Sequence, residues 1–165
     1  MGYRHTDMLT IGDKAPAFSL LDQEGKTRTL SEFSGEWILL YFYPKDATPG
    51  CTTEACELRD NYVAFKNANC QVIGVSADSV ESHEKFARKE KLYFVLLADT
   101  EKKTINDYGV WQMKHFLGKD YMGIVRMSFL IDPKGIIRKI YPQVSPEEHA
   151  EEVLKDLGEM TKGKN

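Results

Sequence analysis

Cysteine is scarce in this chain, with three among 165 residues. An odd and small number excludes the disulfide framework by which small secreted domains compensate for a thin core. Each cysteine is therefore either a small core residue or a reactive one. Long apolar runs are missing as well. None approaches the roughly 20 residues needed to span a bilayer, so no membrane partner is expected. The opening MGYRHTDMLT lacks the apolar region of a signal peptide, which makes a cytoplasmic product the expectation. Charge of one sign is not in excess. A formal net charge of −3 gives no global attraction for nucleic acid. Repeats, low-complexity tracts and linkers are absent, so one domain over residues 1–165 is expected. Residues 1–8 read as a flexible tail, with Met8 as an alternative start.

What is present is an ordinary globular composition, 42% hydrophobic, whose apolar residues are patterned. APAFSLLDQEGKTRTL has two short runs around an Asp-Gln-Glu-Gly turn, which predicts an N-terminal hairpin. WILLYFY is continuously apolar, as in a central strand covered on both faces. After Pro49, Ala55, Leu58, Tyr62 and Phe65 recur at helical spacing. QVIGVS and YFVLLAD predict two more buried strands. Between them Asp78 and Glu81 resemble a capping box that opens a helix reaching about Lys91. KKTINDYGV predicts a short helix ending at Gly109. MSFLID, a Pro-Lys-Gly turn and IIRKIY form a hairpin. Ser145-Pro146-Glu147-Glu148 then reads as a capping box for a last helix carrying Val153, Leu154 and Leu157. Alternating strands and helices followed by a hairpin predict an α/β fold. Its mixed central sheet carries helices on both faces, as in thioredoxin-like folds.

One stretch concentrates chemistry: FYPKDATPGCTTEAC, Phe42 to Cys56. Thr48 suits an N-cap and Pro49 the first helical position. Cys51 then falls in the first turn, where free N–H groups and the helix dipole favour a thiolate. Gly50 has no side chain, so a small substrate can approach the backbone. The Thr48 hydroxyl can accept a backbone N–H and donate to the thiolate or to substrate oxygen. A cysteine alone would favour a buried start to an amphipathic helix. The strand end, the cap and the adjacent glycine tip the balance toward reactivity.

Cys56 lies five residues further on. On a helix, that offset separates the Cα atoms by roughly 9 Å, beyond the ~7 Å limit for a disulfide. A Cys51–Cys56 bond thus needs local unwinding, and spacing alone leaves an incidental surface cysteine equally open. Cys70, at a strand entrance, reads as structural. Zinc is disfavoured, because Cys-x4-Cys is too wide and no second Cys/His pair follows. His5, His83, His115 and His149 are scattered and read as surface or packing residues. VWQMKHFLG fits either an apolar rim or core.

The pattern Pro44-x3-Thr48-x2-Cys51 resembles the peroxiredoxin active-site signature. The fuller string is similar to the PrxQ branch, also called bacterioferritin comigratory protein. GDKAPAFSL, YGVW and GKDYMGIVRMSFLID extend the likeness over most of the chain from Leu9. The resemblance implies a thiol peroxidase acting on hydrogen peroxide and organic hydroperoxides, with no bound cofactor and no metal. Cys51 would be the attacking cysteine. Thr48 and Arg126 would hold peroxide and thiolate, Pro44 would shield the site, and Glu54 would orient the arginine. Cys56 would match the resolving cysteine of those PrxQ proteins that carry it in the same helix. Thioredoxin or a similar dithiol would reduce the resulting disulfide, and the branch suggests a monomer. A one-cysteine peroxidase, a peroxide sensor and a thiol–disulfide oxidoreductase remain as alternatives. Ionisation alone would raise the thiolate population only about thirtyfold if the pKa fell to 6. The larger effect must act on the departing oxygen, through preorganised donors.

Overall fold

The computed structural model describes residues 8–162. Apart from Met8, the expected tail lies outside the described residues, as does His5. The N-terminal hairpin forms from β1 (Ser19–Asp22) and β2 (Thr27–Thr29). The Asp22 carboxylate closes its turn by accepting the Glu24 and Lys26 N–H groups. The run WILLYF becomes β3 (Trp37–Phe42), buried along its whole length. Two helices follow, α1 (Pro49–Asp60) and α2 (Tyr62–Asn67), where periodicity predicted one. Then come β4 (Cys70–Ser76), α3 (Val80–Glu90), β5 (Val95–Ala98) and α4 (Lys103–Asp107). A separate hairpin, β6 (Trp111–Phe116) with β7 (Lys119–Ile124), precedes β8 (Met127–Ile131), β9 (Ile137–Tyr141) and α5 (His149–Thr161).

The sheet has seven strands in the order β2-β1-β5-β4-β3-β8-β9. Strands β3, β4 and β5 run parallel, while β1, β8 and β9 join antiparallel. Side chains alternate across β3. Leu39 and Tyr41 pack with α1, α2, α3 and α5, through Ala55, Leu58, Phe65, Phe86 and Val153. Ile38, Leu40 and Phe42 face the other side, against Phe33, Ile105 of α4 and Tyr108. Burial on both faces is why the strand reads as an unbroken apolar run. This mixed sheet between helices is the thioredoxin-like arrangement. Gly74 in β4 is needed for one close contact. A Cβ there would lie 2.8–2.9 Å from the Tyr41 ring and hydroxyl.

Three local expectations shift. The cap of α3 is Ser79, whose hydroxyl accepts the Ser82 N–H at 3.1 Å. Asp78 is engaged elsewhere, accepting from the Ser76 hydroxyl and the Asp46 N–H. The last helix starts at His149 rather than behind Ser145. There the Ser145 carbonyl accepts the Glu148 and His149 N–H groups and closes a turn before the regular helix. VWQMKHFLG is largely strand β6, and its hairpin exposes Met113, Phe116, Leu117, Tyr121 and Met122. The tight turn is Leu117-Gly118, both at positive φ. Leucine there gives none of the Asn-Gly signal that marks such turns in sequence.

Candidate active site

The chain leaves β3 through Tyr43 and Pro44 and enters a short loop, Lys45 to Thr48. Ala47 adopts φ of 63°, a left-handed conformation rare for a non-glycine residue. Thr48 returns to extended backbone and caps α1, with Pro49 at the first position. Its hydroxyl does not accept a backbone N–H as expected. It donates instead to the Lys45 carbonyl at 2.8 Å, which staples the loop and turns its lone pairs outward.

Cys51 falls in the first turn of α1, as the sequence predicts. It is 2% exposed and shares the inner face of the helix with Ala55 and Leu58. Arg126 arrives from the segment between β7 and β8. The antiparallel register pairs Phe42 with Met127, so the residue before Met127 lies level with the end of β3, where the loop begins. There its Nη2 stands 3.5 Å from Cys51 Sγ and its Nη1 donates to Glu54 Oε1 at 2.7 Å. Gly50 makes room for this guanidinium. A Cβ on Gly50 would lie 3.0 Å from Arg126 Nη2. The open space that sequence assigns to substrate is therefore bordered by arginine.

Glu54 sits one turn after Cys51 with its side chain fully buried. Burial pushes its carboxyl up to about 7, although the Arg126 charge and hydrogen bond pull the other way. Its Oε2 has no hydrogen-bond partner among the described residues. Burial works against the Arg126 charge, but Glu54 and Cys51 outweigh it and hold the guanidinium protonated. The result is a buried thiol facing a fixed cation, braced from behind by a carboxyl and lying at the positive end of a helix. Pro44 is half-buried at the mouth of the loop.

Cys56 is in the same helix but outside this cluster. Its thiol points to α3 and donates to Glu90 Oε1 at 3.5 Å, while Arg59 donates to the Glu90 carbonyl at 2.6 Å. Burial pushes the Cys56 thiol up, Arg59 pulls it back and Glu90 adds to the rise. All three cysteines are free thiols. Cys70 is buried at the start of β4, paired with Trp37, and burial pushes its thiol up to about 12.

This arrangement can stabilise a sulfur anion and negative charge developing on an oxygen beside it. It matches known proteins over most of the chain. The profile of the AhpC/TSA family matches residues 11–140. The chain belongs to the AhpC/TSA family of peroxiredoxins. Peroxiredoxin Bcp of Bacillus subtilis (strain 168) is 46% identical over 153 residues, 93% of this chain and 98% of that protein. Chloroplastic peroxiredoxin Q of Sedum lineare is 43% identical over 152 residues, 90% of this chain and 78% of that one. Among solved structures, a cysteine-to-serine mutant of PrxQ from Xylella fastidiosa superposes with a TM-score of 0.88 at 35% identity. It covers 93% of this chain and 98% of its own. The bacterioferritin comigratory protein of Xanthomonas campestris, studied for its alkyl peroxide reduction activity, gives 0.83 at 35%, covering 88% and 92%. As a peroxiredoxin, this chain is a peroxidase that takes a peroxide substrate and a thiol reductant.

Two residues of this peroxiredoxin's site region escape the sequence reading. Asp46 and His83 form a buried pair beneath the loop, with His83 Nδ1 2.7 Å from Asp46 Oδ2. The available signal was weak, a histidine three residues before Phe86 on the apolar face of α3. His149 is likewise buried, against Ser128. His115 is exposed on the β6–β7 hairpin beside Asp120.

Proposed function

We propose that Cys51 is the peroxidatic cysteine, for hydrogen peroxide and organic hydroperoxides, and that Cys56 resolves its oxidised form. The observation that carries this reading is the Arg126 guanidinium, 3.5 Å from the Cys51 sulfur and braced at 2.7 Å by Glu54. The thiolate attacks one peroxide oxygen, the O–O bond breaks, and the other oxygen leaves as water or alcohol after taking a proton. Cys51 becomes a sulfenic acid, oxidised by two electrons. Negative charge grows on the leaving oxygen, where Arg126 and the Cys51 backbone N–H supply fixed donors. The Thr48 O–H donates its hydrogen bond to the Lys45 carbonyl, so its lone pairs are left to accept the peroxide O–H. Pro44 keeps bulk water from the thiolate, and Gly50 leaves the guanidinium its place.

Resolution follows by attack of the Cys56 sulfur on the Cys51 sulfenic sulfur. An S–S bond forms, and the sulfenic hydroxyl leaves as water with the Cys56 proton. Both cysteines lie in the uninterrupted helix α1, so its first turns must unwind before the sulfurs meet. Thioredoxin or a similar dithiol then returns two electrons and two protons. The same reading makes the chain a cytoplasmic monomer working as one domain. The alkyl peroxide reduction of the Xanthomonas campestris relative supports the wider substrate range.

The test is intact mass and peptide mapping after one equivalent of hydrogen peroxide. Loss of two hydrogens, mapped to a Cys51–Cys56 cross-link, is the expected result. A gain of one oxygen on Cys51 with Cys56 still free would overturn the resolving role and leave a one-cysteine peroxidase.

A further inference from the structure

We infer that Asp46 and His83 are positioning residues for peroxide reduction, a buried clamp that holds the Lys45–Thr48 loop in reactive geometry. Asp46 lies five residues before Cys51 and is fixed at both its side chain and its backbone. Its Oδ1 accepts the Tyr43 hydroxyl at 2.6 Å. Its Oδ2 meets the Ser82 hydroxyl at 2.8 Å and His83 Nδ1 at 2.7 Å. Its N–H donates to Asp78 Oδ2 at 2.8 Å, and the Ser76 hydroxyl holds that oxygen at 2.7 Å. His83 is 0% exposed, and its Nε2 stands 2.8 Å from the Leu97 carbonyl. A carbonyl only accepts, so Nε2 carries a hydrogen and donates. The ring is thereby pinned between β5 and the active-site loop.

Proximity alone would suggest a cation site, since ligand atoms of Asp46, Asp78 and His83 lie within 4.8 Å of one another. Hydrogen bonding argues otherwise. Both Asp46 oxygens and both His83 nitrogens already have protein partners. A buried network of this kind is stable only when every member is satisfied. Burial pushes the Asp46 carboxyl up, but His83, Tyr43 and Ser82 more than offset it and hold it below its usual range.

The link to chemistry is the chain immediately after the clamp. Ala47 sits at φ of 63°, and such a conformation persists only where surrounding structure over-determines it. Thr48 then staples back to Lys45, and Cys51 follows in the first helical turn. Release of Asp46 lets Ala47 relax toward ordinary backbone. The Thr48 hydroxyl and the Cys51 N–H drift with it, while the sulfur keeps its nucleophilicity. A misplacement of about 1 Å is enough to cost ~100-fold in rate. The clamp acts on positioned peroxide chemistry more than on simple thiol reactivity.

The experiment compares two second-order rates on Cys51, oxidation by hydrogen peroxide and alkylation by iodoacetamide. Asp46→Ala is expected to slow oxidation about 100-fold, with alkylation within about threefold of wild type or faster. Asp46→Asn keeps an acceptor for Tyr43, and its amide N–H can meet His83 Nδ1 once that nitrogen gives up the hydrogen it donates to the carboxylate, so it should restore oxidation to within about tenfold. If Asp46→Ala does not fold, Tyr43→Phe and Ser82→Ala decide the matter, each removing one hydrogen bond to Asp46. Each should slow oxidation by about three- to tenfold with alkylation unchanged. A folded variant of either kind with the wild-type oxidation rate would overturn the inference. So would equal losses in both rates, which mark general loosening of the fold.

Discussion

Arg126→Ala is the perturbation that bears most directly on how the proposed site would accelerate peroxide cleavage. In the folded protein the guanidinium lies 3.5 Å from the Cys51 sulfur. A full negative charge on a peroxide oxygen bound at a similar distance from the guanidinium would interact by roughly 5 kcal/mol at an effective dielectric of about 20. Two features reduce the benefit. The Arg126 side chain is 19% exposed, so solvent screens it, and Glu54 at 2.7 Å offsets part of its charge. About half the gross value, or about 2–3 kcal/mol, is left for the transition state, which corresponds to a rate effect of about 100-fold. The assay is stopped-flow oxidation of Cys51 by hydrogen peroxide under pseudo-first-order conditions, with iodoacetamide alkylation as the control. Alkylation creates no oxygen anion beside Arg126 and should lose less than a tenth as much. Arg126→Lys keeps the charge but loses the fork that spans Glu54 and Cys51, so its rate should fall between the two. Loss of the arginine also leaves Glu54 buried without a partner, and that carboxyl then takes up a proton. A folded Arg126→Ala protein that oxidises within about threefold of wild type would refute the electrostatic account.

Three other outcomes follow from the same geometry. The Glu54 carboxyl stands at about 7 when folded against 4.5 ordinarily, so the folded state binds the extra proton between those values. That contribution, at most about 3 kcal/mol, is complete below pH 4.5 and lost as pH rises through 7. Glu54→Gln should flatten the fall in denaturation midpoint over this window, and an unchanged slope would place the proton elsewhere. Gly50→Ala brings a Cβ to 3.0 Å from Arg126 Nη2; peroxide oxidation should slow about tenfold as the guanidinium shifts, with melting temperature nearly unchanged. An unaffected rate would show that the arginine adjusts freely. Cys70, buried and with its thiol pushed up to about 12, should resist iodoacetamide until the protein is unfolded, while Cys56 labels in the native state. Native labelling of Cys70, read by peptide mass, would contradict its placement.

The sequence by itself determined whatever depends on neighbours along the chain. The apolar run of β3, the hairpin β1–β2, the cap-proline start of α1 and the position of Cys51 in its first turn all arise from local backbone preferences and side-chain periodicity. Arg126 is different. Its place in the site came from the likeness to peroxiredoxins; by pattern alone it is one charged residue before an apolar strand. Only the antiparallel pairing of β3 with β8 carries it across 75 residues to the sulfur. The cap of α3, at Ser79, and the start of α5, at His149, moved for a related reason. Asp78 is drawn away to hold Asp46, and the Ser145 carbonyl closes a turn first, choices that local capping rules do not see. The neutral-leaning Glu54 and the Asp46–His83 pair were decided by tertiary structure alone. Hydrogen-bond direction and the free energy of charge depend on burial, and burial exists only once the helices have packed on the sheet.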